Sequence, residues 1–537
     1  MIHLPLVALL TTEFMLANNF LKRFLHMLAA LVVVCCVPSC KYDKIDTAQQ
    51  AESAGYPQEV GNIFQARCSI TGCHTSNDYQ LAGGLDLSSW NALFRGARNG
   101  SPVVPFRSKY SFLCFFINSY PDLGITNSQI GNTMPPSPAP LLSHAEVQTI
   151  EDWINAGAAD KSGNLKFPPT ANRKKIYIGN SGCDEVAVVD AESKQIMRYI
   201  SVGADDAVNE QPHQIRISPD GNYWYVVFRN GQFLQKYSTL DDSFVSQVNI
   251  GSGFWNSVAI SPDGNHAFIT DFSPSPVGKI VHVNLQTMAV SFYSPMDSPH
   301  GAYFMHSQNV LYVTAQYGNF IYKFDFSNDP NYTFADNPAI ITMQTGALVN
   351  TNAPFDPHEV MFTPDESKYF VTCQGTNEVR EFNATNDSLI DSIAVGGFPQ
   401  EMVISPSRHY LLITCQEDST SSEVQQFLEK GSVFVYDYQA GHLIPINNAA
   451  TQGLTRVYQP HGIAVDETSG LAFVASLNYS TDGPAPHHPS GCSGRNGFLT
   501  AIDLNTMEYV NSFVPDLLFS YLYKAELLSF PYSVMAK

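Results

Sequence analysis

The chain has 537 residues, of which 44% are hydrophobic and 15% are charged, and its 29 basic and 49 acidic side chains give a net charge of −20. This length exceeds one ordinary domain, and the 35 glycines and 33 prolines are typical of a β-rich, turn-rich protein. No run of basic residues occurs, which excludes the usual sequence signature of a nucleic-acid-binding protein.

The first forty residues have the pattern of an export signal. A Lys-Arg pair at 22–23 precedes an apolar run over 27–37, which is shorter than a membrane-spanning helix. The run leads into Val-Pro-Ser-Cys at 37–40, and this ending resembles the lipobox of bacterial lipoproteins. The resemblance implies that residues 1–39 are a lipoprotein signal peptide and that Cys40 is acylated. The alternative is a plain signal peptide with an incidental cysteine.

Residues 40–55 are polar and are predicted to be a tether. No later segment has the ~20 apolar residues of a transmembrane helix, so lipid is the only predicted membrane attachment. We therefore expect the protein in the bacterial cell envelope, facing the periplasm or the cell surface. Three of the ten cysteines belong to the export segment. The other seven are an odd number, so at least one must do something other than pair within the chain.

Residues 56–160 are predicted to form a small α-helical domain that binds haem. Its informative string is Cys68-Ser-Ile-Thr-Gly-Cys73-His74. In c-type haem attachment, two cysteines bond to the haem and the histidine that follows supplies a nitrogen to the iron. The usual spacing is Cys-x-x-Cys-His, whereas four residues separate the cysteines here. The second cysteine still directly precedes the histidine, and Gly72 lets the extra residues bulge. The string predicts one covalent haem c.

A second iron ligand is predicted at Met134, which follows His74 by 60 positions. Pro135 and Pro136 stiffen the loop that presents the thioether. Two other interpretations of the domain stay open. Cys68 and Cys73 can form a structural disulfide, and a zinc site is conceivable if a suitable fourth ligand is present. In either case Met134 is a filler of the apolar core.

The predicted domain ends in a helix. Ser143 and Glu146 have capping-box spacing, and Gly157 is placed to end the helix after an apolar stripe formed by Val147, Ile150 and Ile154. The succession of Cys-His string, Met-Pro loop and final helix resembles the class I cytochrome c family. The section at 83–96 also resembles a variant cytochrome domain of bacterial envelope proteins.

Beyond a linker at 161–172, residues 171–537 contain a motif that occurs seven times. The copies begin at Pro212, Trp255, Pro299, Pro357, Pro399, Pro460 and Pro531. Most lead through a turn such as Ser-Pro-Asp-Gly at 218–221 into a β-rich run. Intervals of 43 and 44 residues between the first three copies fit one four-stranded propeller blade.

The array opens at 175–178 without a first strand and finishes at 530–536 with only a first strand. These halves complete one blade and close the ring. The pattern resembles YVTN-type propellers, relatives of the propeller domain of nitrous oxide reductase. The predicted fold is therefore multidomain, with a small all-α cytochrome c-like domain followed by an all-β seven-bladed propeller. A β-sandwich or a β-helix is the alternative for the second part.

Histidines recur at one position of the propeller motif. Four first strands begin with Pro-His, at His213, His300, His358 and His461, and the other three place Asn256, Gln400 and Tyr532 there. First strands start on the face where second strands end, so Cys373 and Cys415 are predicted to reach the same face. An insertion at 478–496 adds His487, His488 and Cys492.

Imidazoles and thiols at one mouth suit copper or a similar ion, and the propeller of nitrous oxide reductase carries a histidine-bound copper cluster. This sequence lacks that enzyme's dense histidine pattern, so its activity is not carried over. The alternative is that Pro-His only starts each strand and the histidines line a wet channel.

The sequence predicts an exported c-type cytochrome that transfers electrons to or from a redox partner protein, with the propeller as docking platform. One alternative is an oxidoreductase whose propeller holds a metal or substrate site and passes electrons to the haem. Another is an envelope scaffold or adhesion module. No Ser-His-Asp order, phosphate-binding glycine loop or paired-carboxylate motif occurs, so nothing favours a hydrolase or a kinase.

Overall fold

The computed structural model describes residues 53–98, 100–124, 126–130, 133–273, 278–417, 431–446, 457–477, 497–510 and 531–537. The predicted signal peptide, Cys40 and most of the predicted tether lie outside these ranges. Among the helices that are described, none is long and apolar enough to cross a membrane.

The described helices all lie within residues 53–168, whose described part contains no strand beyond an isolated bridge, and we call this part of the chain the helical domain. The helices are α1 (Gln58–Arg67), α2 (Trp90–Leu93), α3 (Phe112–Ile117), α4 (Asn127–Ile130) and α5 (His144–Asn155), with 3₁₀ turns at Ser108–Tyr110 and Pro121–Leu123. Helices α1 and α5 pack together, and the ring centres of Phe64 and Trp153 lie 6.1 Å apart in an edge-on contact. Phe167, in the predicted linker, is buried against Phe94.

Helix α5 confirms the capping prediction. The Ser143 side chain accepts a hydrogen bond from the Glu146 backbone N–H at 3.3 Å, and the Glu146 carboxylate accepts one from the Ser143 backbone at 2.7 Å. The helix buries the predicted stripe of Val147, Ile150 and Ile154 in the core.

The propeller consists of seven four-stranded antiparallel sheets, as predicted. We number the blades along the chain and give the strands from the innermost outwards. Blade 1 is β28 (Pro531–Ala536), β1 (Lys175–Asn180), β2 (Glu185–Asp190) and β3 (Ile196–Ser201). Blade 2 is β4 (Pro212–Ile217), β5 (Tyr223–Phe228), β6 (Phe233–Ser238) and β7 (Phe244–Asn249). Blade 3 is β8 (Trp255–Ile260), β9 (His266–Asp271), β10 (Gly278–Asn284) and β11 (Val290–Met296).

Blade 4 is β12 (Pro299–Met305), β13 (Val310–Ala315), β14 (Phe320–Asp325) and β15 (Ala339–Thr342). Blade 5 is β16 (Pro357–Phe362), β17 (Lys368–Cys373), β18 (Glu378–Asn383) and β19 (Leu389–Ala394). Blade 6 is β20 (Pro399–Ser405), β21 (Tyr410–Cys415), β22 (Ser432–Asp437) and β23 (His442–Ile444). Blade 7 is β24 (Pro460–Asp466), β25 (Leu471–Ser476), β26 (Phe498–Asp503) and β27 (Glu508–Tyr509).

The ring closes where the sequence predicts. Strand β28 pairs antiparallel with β1, and Val534 lies opposite Ile178. Each innermost strand contacts the innermost strands of both neighbouring blades, so these seven strands surround a central channel.

The helical domain packs against blade 1. The Ser101 hydroxyl accepts a hydrogen bond from the Ile196 backbone of β3 at 2.7 Å, and the rings of Tyr110 and Tyr199 lie 4.6 Å apart. The Arg107 guanidinium donates to the Ser201 hydroxyl at 3.1 Å. The domain thereby covers an outer edge strand, which would otherwise expose unpaired backbone groups.

Candidate functional sites in the helical domain and the propeller channel

The Cys68–His74 segment is a closed loop at the end of α1. The Cys68 N–H donates to the Phe64 carbonyl at 3.0 Å and ends the helix. The Cys73 N–H then donates to the Ile70 carbonyl at 3.0 Å, and the His74 N–H donates to the Cys68 carbonyl at 3.2 Å. Gly72 has a φ of +81°, which favours glycine. The four intervening residues therefore form a turn that returns Cys73 and His74 to the backbone of Cys68.

The His74 ring is held in one tautomer. Its Nδ1 lies 2.9 Å from the Leu85 carbonyl oxygen, and because a carbonyl oxygen only accepts, Nδ1 carries the proton. Burial lowers the pKa of His74, so the ring is neutral and its Nε2 keeps a lone pair. A neutral imidazole whose other nitrogen donates to a carbonyl is the form in which histidines bind metals.

Cys68 and Cys73 carry thiols and do not form a disulfide with one another. Cys68 is buried, and burial raises the pKa of its thiol to about 12. Met134 is half-buried and packs against the apolar cluster that contains Cys68 and Phe64, and its backbone N–H donates to the Phe116 carbonyl at 2.9 Å. The structure thus places all four predicted haem residues in the same small domain.

The second residue of each innermost strand contributes to a ring of side chains around the propeller channel. We call these residues the channel ring: His213, Asn256, His300, His358, Gln400, His461 and Tyr532. The ring centres of His300 and His358 lie 3.8 Å apart, and Tyr532 lies 3.8 Å from His461 and 4.1 Å from His213. The four histidines do converge, as the topology predicts.

The channel ring is buried. Its histidines are only 2–7% exposed, and burial lowers the pKa of all four, that of His300 and His461 to about 3. They are therefore neutral near pH 7. His213 Nδ1 lies 3.3 Å from the Asn256 carbonyl oxygen, and His461 Nδ1 lies 3.1 Å from that of Tyr532, so each bridges to the next blade. The histidines are therefore packed side by side at the channel mouth.

Threonines of the second strands reinforce this ring. Thr270, Thr314, Thr372 and Thr414 each donate to the carbonyl of the channel-ring residue in the next blade, at 2.6–3.1 Å. Cys373 and Cys415 end their strands as predicted and are buried. His487, His488 and Cys492 lie outside the described residues. Within the described part of the chain, no three His, Cys, Asp or Glu side chains are grouped so as to hold a metal.

The sequence interpretation missed three charged residues beyond the channel ring. Glu359 and Glu401 follow the ring position in blades 5 and 6, and Arg216 lies further along the innermost strand of blade 2. All three line a cavity of about 440 Å³ in the channel. The repeated motif could have revealed them. It places the histidines at the start of the innermost strands, and the residues that follow in those strands line the channel.

Sequence similarity to known proteins covers a small part of the chain. No protein-family model matches the chain. A segment of 124 residues is 27% identical to antigen Lp49 of Leptospira interrogans serogroup Icterohaemorrhagiae serovar copenhageni (strain Fiocruz L1-130), covering 20% of this chain and 26% of that protein. The match thus spans about a quarter of that relative's length.

Similar solved structures have low sequence identity. A hydrazine synthase of Kuenenia stuttgartiensis is 14% identical with a TM-score of 0.43, over 56% of this chain and 81% of that one. A functionally unknown protein of Desulfotomaculum acetoxidans DSM 771 is 13% identical with a TM-score of 0.47, over 67% and 98%. A protein of unknown function from Bacteroides caccae is 12% identical with a TM-score of 0.38, over 68% and 99%.

Proposed function

We propose that the protein is an exported c-type cytochrome that transfers electrons. In this proposal Cys68 and Cys73 would attach one haem c, and His74 and Met134 would ligate its iron. The observation that supports the proposal is the closed loop in which the His74 N–H bonds to the Cys68 carbonyl, since it brings the backbone at the two ends of the longer motif together.

The residues of the domain have distinct roles in this proposal. A bound haem supplies a one-electron couple between ferric and ferrous iron. The Leu85 carbonyl accepts from Nδ1 of His74, so Nε2 is the nitrogen that would bind iron, and the Met134 thioether would favour the ferrous state. The apolar cluster around Phe64 and Cys68 limits access of water. These features support an electron carrier more than a catalyst.

The propeller is the proposed docking platform for the redox partner protein. Its attachment to the helical domain through Ser101, Arg107 and Tyr110 holds the domain against blade 1. A partner bound to the propeller would then meet the helical domain in a defined orientation.

Acylation of Cys40 would anchor the protein in the bacterial envelope, and Cys40→Ser should give a longer precursor that fatty acid no longer labels.

The haem assignment is tested on purified full-length protein made in cells that mature c-type cytochromes. The pyridine haemochrome signal of the denatured protein should correspond to one haem, and Cys73→Ala or His74→Ala should abolish it. Cys114→Ala is the matched control, because Cys114 is a thiol of the same domain outside the motif. An unchanged signal in the first two variants would contradict the assignment.

The role of Met134 is tested separately. Met134→Ala should remove the weak charge-transfer absorption of ferric iron bound to a thioether and lower the reduction potential. Met288→Ala in the propeller is the control and should change neither. If the spectrum and the potential of Met134→Ala match those of the unmodified protein, another group occupies that position.

A further inference from the structure

The cavity in the propeller channel has charges of opposite sign on opposite walls. In a ring of seven blades, blades 5 and 6 are the two farthest from blade 2. Glu359 and Glu401 therefore face Arg216 across the channel. Arg216 takes part in none of the described ion pairs. Its guanidinium donates instead to the backbone carbonyls of Val258 at 3.1 Å and Ile215 at 3.4 Å.

Glu359 has an unmet hydrogen-bonding capacity. The residue is 1% exposed, and its Oε2 is buried with no hydrogen-bond partner. A Cβ added to Gly301 would lie 3.1 Å from this oxygen, so the glycine leaves room for it. Burial and the nearby Glu401 raise the pKa of Glu359, burial raises that of Glu401, and Arg216 counteracts both rises. A buried polar atom without a partner costs free energy that a bound donor would recover.

The other walls of the cavity are largely apolar. They include Ile217, Val258, Met361, Val403, Ile463 and Met535. His213 and Tyr532 of the channel ring lie at one end, and Pro219 and His306, beyond the ends of innermost strands, lie at the other. Its volume of about 440 Å³ falls in the range of small-molecule sites. The cavity thus combines an acidic wall, a basic wall and an apolar surround.

We propose that the propeller channel binds a zwitterion with an apolar body, namely an apolar amino acid or a short apolar peptide. The ligand's ammonium group bonds to Glu359 and Glu401, its carboxylate bonds to Arg216, and its side chain contacts the methionines and aliphatic residues. One molecule would then form hydrogen bonds with the buried Glu359 and with the partly exposed Arg216 and Glu401. This site is separate from the proposed haem site and does not depend on it.

The test is calorimetric titration of the full-length protein at pH 7.5 with four probes. L-leucine and L-leucyl-L-leucine carry both charges, and the better binder of the two identifies an amino acid or a peptide as the source. 4-Methylpentanoate lacks the ammonium group and 3-methylbutylamine lacks the carboxylate. Each single-charge probe should bind about tenfold or more weakly than the better zwitterion, since each loses one charged hydrogen-bonded contact.

Two variants assign the ends of the ligand. Glu359→Gln should weaken binding of the zwitterion about tenfold and leave binding of 4-methylpentanoate unchanged. Arg216→Gln should also weaken binding of the zwitterion about tenfold, and should leave binding of 3-methylbutylamine unchanged. The exposed Glu192→Gln is the control with unchanged binding. The four-probe series on the unmodified protein decides the proposal if a variant does not fold. Failure of both zwitterions to bind, or binding of either single-charge probe as tight as that of the better zwitterion, would each overturn it.

Discussion

The helical domain and the propeller are stabilised by different kinds of contact. The domain has short helices, and single long-range bonds fix its irregular segments. The Trp90 indole, for example, donates to the Ala158 carbonyl at 2.8 Å, and the Tyr56 hydroxyl donates to the Ser89 carbonyl at 2.9 Å. In the propeller, equivalent residues make equivalent bonds in successive blades. The location of a propeller residue therefore follows from its place in the repeat, whereas each contact in the domain is individual.

One ion pair of the propeller is almost completely buried. The Lys175 ammonium lies 2.8 Å from the Asp242 carboxylate, and both side chains are almost completely buried between blades 1 and 2. The Tyr177 hydroxyl also donates to Asp242, at 2.9 Å. Among the described ion pairs of the propeller this one is the most deeply buried, so it gives the strongest test of the comparison.

Asp242→Ala should give the largest loss, because it leaves the Lys175 charge buried and unpaired. We expect the free energy of unfolding to fall by about 3–5 kcal/mol, as measured by denaturant titration followed by circular dichroism. The exposed Asp391→Ala removes the same charge and should change the stability by less than about 0.5 kcal/mol. Equal effects of the two variants would show that individual contacts do not matter in the propeller.

Ile150→Ala tests whether the domain loses stability by itself. Ile150 is buried in α5, and its truncation should cost about 2–5 kcal/mol. Hydrogen exchange followed by mass spectrometry should become faster within 53–168 and stay unchanged in blades 2 to 7. The partly exposed neighbour Thr149→Ala is the control. Faster exchange throughout the propeller would mean that the two regions unfold as one unit.

Thr372→Val tests the contribution of one repeated bond. The Thr372 hydroxyl accepts from the Glu359 N–H at 2.9 Å and donates to the Gln400 carbonyl of the next blade at 3.1 Å. Valine keeps the shape and leaves both buried backbone groups unpaired, which should cost about 1–3 kcal/mol in denaturant titration. Thr376→Val, at an exposed site after the same strand, should be close to neutral. A loss as large as that of Asp242→Ala would remove the distinction between repeated and individual contacts.

The smallest expected effect is a pH dependence of the stability of the helical domain. Burial of Glu151 in α5, with Asp152 beside it, raises the pKa of its carboxyl from 4.5 to about 7. The folded state therefore binds this proton more tightly than the unfolded state does. The stabilisation that protonated Glu151 gives the folded state is fully present below pH 4.5 and is lost as the pH rises through 7.

Glu151→Gln should remove this dependence. Relative to the unmodified protein, the variant should gain stability on the order of 1 kcal/mol at pH 8 and nothing at pH 4.5, where Glu151 is protonated. Thermal unfolding at both pH values measures the difference, and the exposed Glu59→Gln is the control. A gain of the same size at both pH values would point to packing rather than to ionisation.

The sequence predicted features that depend on local spacing. The seven first strands, the β28–β1 closure and the cap at Ser143 all follow from short patterns in the chain. The convergence of the histidines follows from the repeat position, but their burial does not, because it depends on neighbouring blades such as the carbonyl that His461 contacts. For the same reason the opposition of Arg216 to Glu359 could not be foreseen without counting blades around the closed ring.

The sequence predicted the residues of the proposed haem site but not the contacts that position them. Nothing in the motif indicates that the Leu85 carbonyl orients His74, since that contact depends on the path of an irregular loop. The packing of the domain on blade 1 was also not predicted. It depends on single contacts such as that of Ser101 with Ile196, which have no periodicity to reveal them.

The pairing of β28 with β1 has a consequence for how the protein is made. Residues 531–536 supply the innermost strand of blade 1, so this blade stays incomplete until the ribosome has synthesised nearly everything between its two parts. Blades 2 to 7 are each formed from continuous segments and can assemble in order of synthesis. The helical domain emerges before all of them, yet the blade on which it rests is the last to be completed. Until residues 531–536 are in place, the helical domain therefore lies next to a three-stranded sheet whose inner edge is open.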